Sequence, residues 1–88
     1  MIGRDEFDPL APQREAALFY GLFLRGHPPD VLRRDIDIPR ETLQKWMRAR
    51  DYGDSFRESL RRLYQYRKQV LAIFDQLVCH EQSRSRLQ

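Results

Sequence analysis

Apolar residues recur along this chain in steps of three and four, the period of an α-helix. Ala16, Phe19, Tyr20 and Phe23 lie about one turn apart and predict a first helix over 12–25. Pro12 suits its first turn and Gly26 supplies its stop. Leu18, Leu22 and Leu24 widen its apolar face, so it is expected to be the most buried helix. Gly21 within it points to a close helix crossing. His27-Pro28-Pro29 is a rigid connector, and Pro29 opens a second helix over 29–35, burying Val31 and Leu32 together with Ile36. Asp37 sits at a turn. Pro39 then opens a third helix over 39–50, with Leu43, Trp46 and Met47 inward and Trp46 expected between the first three helices.

Asp51-Tyr52-Gly53-Asp54 interrupts the pattern. Ser55 and Glu58 have capping-box spacing and predict the start of a fourth helix, about 55–82. Its stripe is Phe56, Leu60, Leu63, Val70, Phe74 and Leu77, alternating steps of four and three with Arg67 in one slot. That is a heptad seam, widened by Tyr64, Leu71 and Val78. Residues 1–11 read as a flexible acidic arm and 83–88 as a disordered polar tail. The fold class expected is all-α: a trihelical helix-turn-helix core over 12–53 and a long C-terminal helix over 54–82.

A helix of some 28 residues is about 42 Å long, whereas a trihelical core of about 50 residues is some 20–25 Å across. The seam is therefore expected to outrun its own domain and to need a partner. A second copy of the chain is the simplest, which makes Leu63, Val70, Phe74 and Leu77 the expected homodimer contacts. Arg67 would then meet Asp75 or Glu81 of the second chain. Folding back onto the first three helices, or binding an unidentified protein, are the other readings of this helix.

Charge sharpens the picture. The net charge of +3 is modest, but its distribution is uneven. Arg40, Lys45, Arg48 and Arg50 stand against Glu41 alone, and Arg61, Arg62, Arg67 and Lys68 precede the next acid, Asp75. Two such concentrations are what a phosphate-binding surface requires. Residues Pro28 to Arg50 read PPDVLRRDIDIPRETLQKWMRAR: a short helix, a turn and a second helix with a basic face. This segment, about a quarter of the chain and most of all IPRETLQKW, resembles the helix-turn-helix domains of bacterial transcription regulators, transposases and phage DNA-packaging proteins. The resemblance implies double-stranded DNA as partner, a role in transcription regulation, and a recognition helix whose outward face enters the major groove. On the matching positions that face is Arg40, Glu41, Gln44, Lys45 and Arg48, with Arg50 beyond it. Arg and Lys can donate to guanine, Gln can pair with adenine, and Glu can accept from cytosine. The chain departs from the pattern at Asp37, where the turn usually has glycine, and at Arg33, where a small residue usually packs against the recognition helix. A trihelical protein-interaction module without DNA binding is the alternative.

Other chemistry has little to stand on. Trp46 has the spacing of a core residue rather than a base-stacking one, and His27 reads as a loop residue. Cys79-His80 has no second pair of ligands for zinc. No nucleophile is placed with a base, and no glycine loop or carboxylate cluster has ligand spacing. Neither enzyme activity, a metal nor a cofactor is expected. A single cysteine and an acidic start fit a cytoplasmic chain without an export signal, and the apolar run 16–20 is too short to cross a membrane.

Overall fold

The computed structural model describes residues 8–86, with side-chain surroundings through Arg84. It contains four helices: α1 (Ala11–Leu24), α2 (Pro29–Ile36), α3 (Arg40–Arg48) and α4 (Asp54–Arg86). The chain is all-α with a long C-terminal helix, and no described residue is in a strand. Residues 1–7 of the expected arm and 87–88 of the expected tail lie outside the described residues. Ser83 to Arg86, expected in the disordered tail, continue α4 instead.

Each boundary has a local cause. At the entry to α1, the Asp8 carboxylate accepts the Leu10 N–H at 3.0 Å and pairs with Arg14. At its exit, Gly26 adopts φ 110°. The Gly26 N–H then reaches the Phe23 carbonyl and the His27 N–H the Leu22 carbonyl, the doubly bonded left-handed stop that glycine permits. α2 ends without a left-handed residue: Asp37 is extended at φ −79°, ψ 155°. Pro39 keeps the helix from resuming, since it disfavours helical backbone at Ile38 before it. The orphaned carbonyls of α2 are served from α4, where Arg67 Nη1 donates to Asp35 and Ile36 at 3.1 and 3.2 Å. α3 is finished in the same way, by Arg57 Nη2 donating to the Ala49 carbonyl at 2.7 Å. A guanidinium at a helix C-terminus answers both the bare carbonyls and the negative end of the helix dipole. The expected capping box at Ser55 and Glu58 is not formed. Glu58 pairs with Arg61 at 2.6 Å, the Ser55 carbonyl accepts the Ser59 hydroxyl, and α4 begins with the Arg57 N–H on the Gly53 carbonyl.

α4 is the spine. Its 33 residues span about 50 Å at 1.5 Å per residue, nearly the whole 53 Å length of the molecule. All three other helices pack on it, and α1 also meets α2. Glu15 of α1 faces Tyr66, and Tyr20 faces Glu81, so α1 and α4 run in the same sense. α2 returns along it: Arg33 pairs with Asp75 at 2.6 Å, and Asp37 with Lys68 at 2.7 Å. The fully buried residues are Ala16 from α1, Leu32 and Ile36 from α2, and Val70, Phe74 and Val78 from α4.

Four expectations change here. Trp46 is half-buried and not enclosed by the first three helices, because α1 and α3 share no contact and α4 stands where that core would close. Val70 and Phe74, expected as dimer contacts, are 0% exposed inside their own chain, since α1 and α2 cover that part of the seam. Leu77 is half-buried, and of the four only Leu63 is exposed, at 40%. Asp75 and Glu81, expected to meet Arg67 of a second chain, are engaged by Arg33, and by Tyr20 and Arg84. Finally, α1 is not buried all round: Leu18 and Leu24 are exposed, as is Val31 of α2.

Polar ties between the helices make stability sensitive to alkaline pH. The Tyr66 hydroxyl donates to Glu15 at 2.6 Å, and this bond, aided by burial, pushes its pKa from about 10 up to about 12. Burial and the Glu81 carboxylate raise Tyr20, and the hydrogen bond to Asp37 raises Lys68. All three groups favour the protonated form in the folded chain, so their contribution is complete below the unfolded pKa and is lost as pH rises through the folded one. Tm is therefore expected to hold to about pH 10 and to fall from there towards about pH 12, the window set by Tyr66. Tyr66→Phe should remove part of that fall in thermal melts. An identical alkaline slope in the variant would reject the linkage.

Candidate nucleic-acid interface

α3 divides cleanly into two faces. Thr42, Leu43, Trp46 and Met47 are half-buried, while Arg40, Glu41, Gln44, Lys45 and Arg48 are exposed. At about 100° per residue the exposed five span an arc of about 140°. The periodicity alone separates these faces, and α3 packs on α4. Arg50 is exposed too, but it lies beyond the C-terminus of α3 in the connection to α4, so it is not on the helix as expected.

Arg40, Lys45, Arg48 and Arg50 pair with no carboxylate among the described residues. Glu41 is the single acid on this face. The site is thus a short convex ridge carrying long cationic side chains with one amide, Gln44, among them. Such a ridge can donate to phosphate oxygens from several points, and Gln44 can both donate and accept.

The second basic segment is used differently. Arg67 caps α2, Lys68 pairs with Asp37 and stands 5.1 Å from the Tyr64 ring centroid, and Arg61 pairs with Glu58 and contacts the Met47 sulfur. Only Arg62 of the four is exposed without a described carboxylate partner. Counting charges had made this a second phosphate surface; the fold spends it on holding α2 and α3 to α4. A signal was present in the sequence. Neither α2 nor α3 is followed by a glycine that could close its end, so donors had to come from elsewhere, and Arg57 and Arg67 lie on the helix that both of them meet.

Arg33, the departure at a position usually small, points to Asp75 of α4 and so ties α2 to the spine. Trp46 belongs to the inner face of α3. His27 and Cys79 are exposed, and among the described residues no three His, Cys, Asp or Glu side chains are grouped to hold a metal ion. No described helix is long and apolar enough to cross a membrane. Comparison with known protein families, with characterised proteins and with solved structures finds no match to this chain.

Proposed function

We propose that the protein binds double-stranded DNA through the outward face of α3. The observation that carries this reading is the asymmetry of the cations. Those of α4 are largely consumed by internal pairing, while Arg40, Lys45, Arg48 and Arg50 stand in solvent without a described acid partner. Charge left unpaired along one ridge is the electrostatic footprint that a phosphate backbone selects. α3 is nine residues long and has the diameter the major groove admits. In this reading Arg40, Lys45, Arg48 and Arg50 position the chain on phosphates, and Gln44 and Glu41 are placed to meet base edges.

The alternative, a protein-interaction module, is favoured by one specific observation. The connection after α2 is extended, and α1 does not reach α3, so α3 is held by α4 rather than by a three-helix unit of the resembled type.

Fluorescence anisotropy against a random duplex separates the two. If four cations displace counterions, the logarithm of affinity should fall against the logarithm of salt with a slope of about −3 to −4. That corresponds to roughly a hundredfold loss between 50 and 200 mM salt. Absence of measurable binding at low salt on any duplex would retire the DNA reading in favour of the protein partner.

A further inference from the structure

Phe56, in the first turn of α4, is 50% exposed. Every other described Phe, Tyr and Trp is buried or half-buried. Tyr52 meets Phe56 edge to face, with ring centroids 4.9 Å apart and planes at 84°. A perpendicular neighbour touches one side of a ring and fixes its tilt. The rest of Phe56 opens to solvent.

The ring is mounted at the end of the cationic ridge. Arg57, the next residue, donates from its guanidinium to the Ala49 carbonyl at 2.7 Å and from its backbone N–H to the Gly53 carbonyl at 2.9 Å. Ala49 stands between Arg48 and Arg50, both exposed and without a described carboxylate partner. The connection from α3 to α4 is thereby pinned, and Phe56 is held close to the last two cations of the ridge. Of the acids nearest in sequence, Asp54 pairs with Arg57 and Glu58 with Arg61. Asp51 is left against Arg48 and Arg50.

We infer that Phe56 is a stacking platform for an unpaired nucleobase beside a duplex held by α3. Resting on the DNA reading of α3, this platform narrows its ligand to duplex with an adjoining single strand. The isolation of the ring identifies the occupant. Ser55 and Ser59 beside it are polar. The next exposed large apolar side chain of α4, Leu63, is seven residues on, about 10 Å along the helix. An apolar peptide would find no continuous surface there. A single flat π-face near unpaired cations matches a base tethered to phosphates. Within a duplex both faces of an internal base are already stacked, so an unpaired base is the one with a face to offer. Stacking reads no base edge, so the platform accepts any base.

Fluorescence anisotropy tests it on three labelled duplexes: one blunt, one with a thymidine overhang, and one with an abasic overhang of the same length. The two overhangs carry equal charge and differ only in their bases. Wild type should bind the thymidine overhang about tenfold tighter than the abasic one, with the same salt slope. Phe56→Ala should bind both with the affinity of the abasic form, and Phe56→Trp should keep the preference. Helical circular dichroism of both variants should match wild type, since Phe56 lies outside the enclosed core. If wild type binds the blunt duplex and both overhangs equally, the inference is overturned and the DNA reading of α3 stands. A preference that survives Phe56→Ala also overturns it. Blunt duplex left unbound at low salt retires the reading of α3 and the platform with it.

Discussion

Phe74→Ala is expected to cost about 3–5 kcal/mol, the range for truncating a large buried aromatic. Phe74 is 0% exposed and is the largest fully buried side chain, held among Ala16, Leu32, Ile36, Val70 and Val78. The rest of the core cannot absorb the loss. The radius of gyration is 15.9 Å, against about 12 Å for a compact domain of this length, so the fold is elongated and its enclosed centre small. Stabilities of small domains are only about 5–15 kcal/mol, which makes this one ring a large share of the total. Urea denaturation followed by circular dichroism should show the variant mostly unfolded at ambient temperature or with a much lower midpoint. Trp46→Ala should cost clearly less, because Trp46 is half-buried on α3 and outside that cluster. Should the two variants rank the other way, the core lies around α3 and the packing described above is incorrect.

Reversing charge on α3 is expected to remove DNA affinity while leaving the fold alone. The triple variant Arg40→Glu, Lys45→Glu and Arg48→Glu should bind a duplex on the order of a thousandfold more weakly at moderate salt, since each phosphate contact releases counterions and each reversal adds repulsion. All three side chains are exposed and make no described ion pair, so the melting curve should move little. Arg67→Ala is the matched opposite. Its guanidinium serves the Asp35 and Ile36 carbonyls, so its loss should lower stability by about 1.5–3 kcal/mol, the range for charged hydrogen bonds, and hardly change the affinity of the folded protein. A triple variant that binds as well as wild type would reduce the α3 face to an ordinary solvated helix surface.

Particular residues show how far the chain could be read by itself. Helix periods, the stop at Gly26 and the two faces of α3 were legible because each depends on neighbours three or four positions away. The stripe Val70, Phe74 and Val78 was legible as apolar, but what covered it was not. A heptad seam says that a surface must be buried and is silent on whether the cover comes from its own chain. Arg67 and Lys68 looked like phosphate ligands for the same reason: charge is visible in a sequence, whereas the carbonyl or carboxylate that claims it is more than thirty positions away. Leu18 and Leu24 erred in the other direction, read as core and found in solvent.

Local backbone rules and side-chain period therefore determined, from sequence alone, that the chain is all-α, that it ends in a long helix, and which residues of α3 face outward. Tertiary structure decided the rest: α4 as the spine, α1 and α2 as the cover for its seam, Arg57 and Arg67 as helix caps, and one apolar face of α1 left open. These depend on contacts between residues far apart in the chain, whose pairing is chosen by the combined burial of several faces at once, and no single stretch of sequence carries that choice.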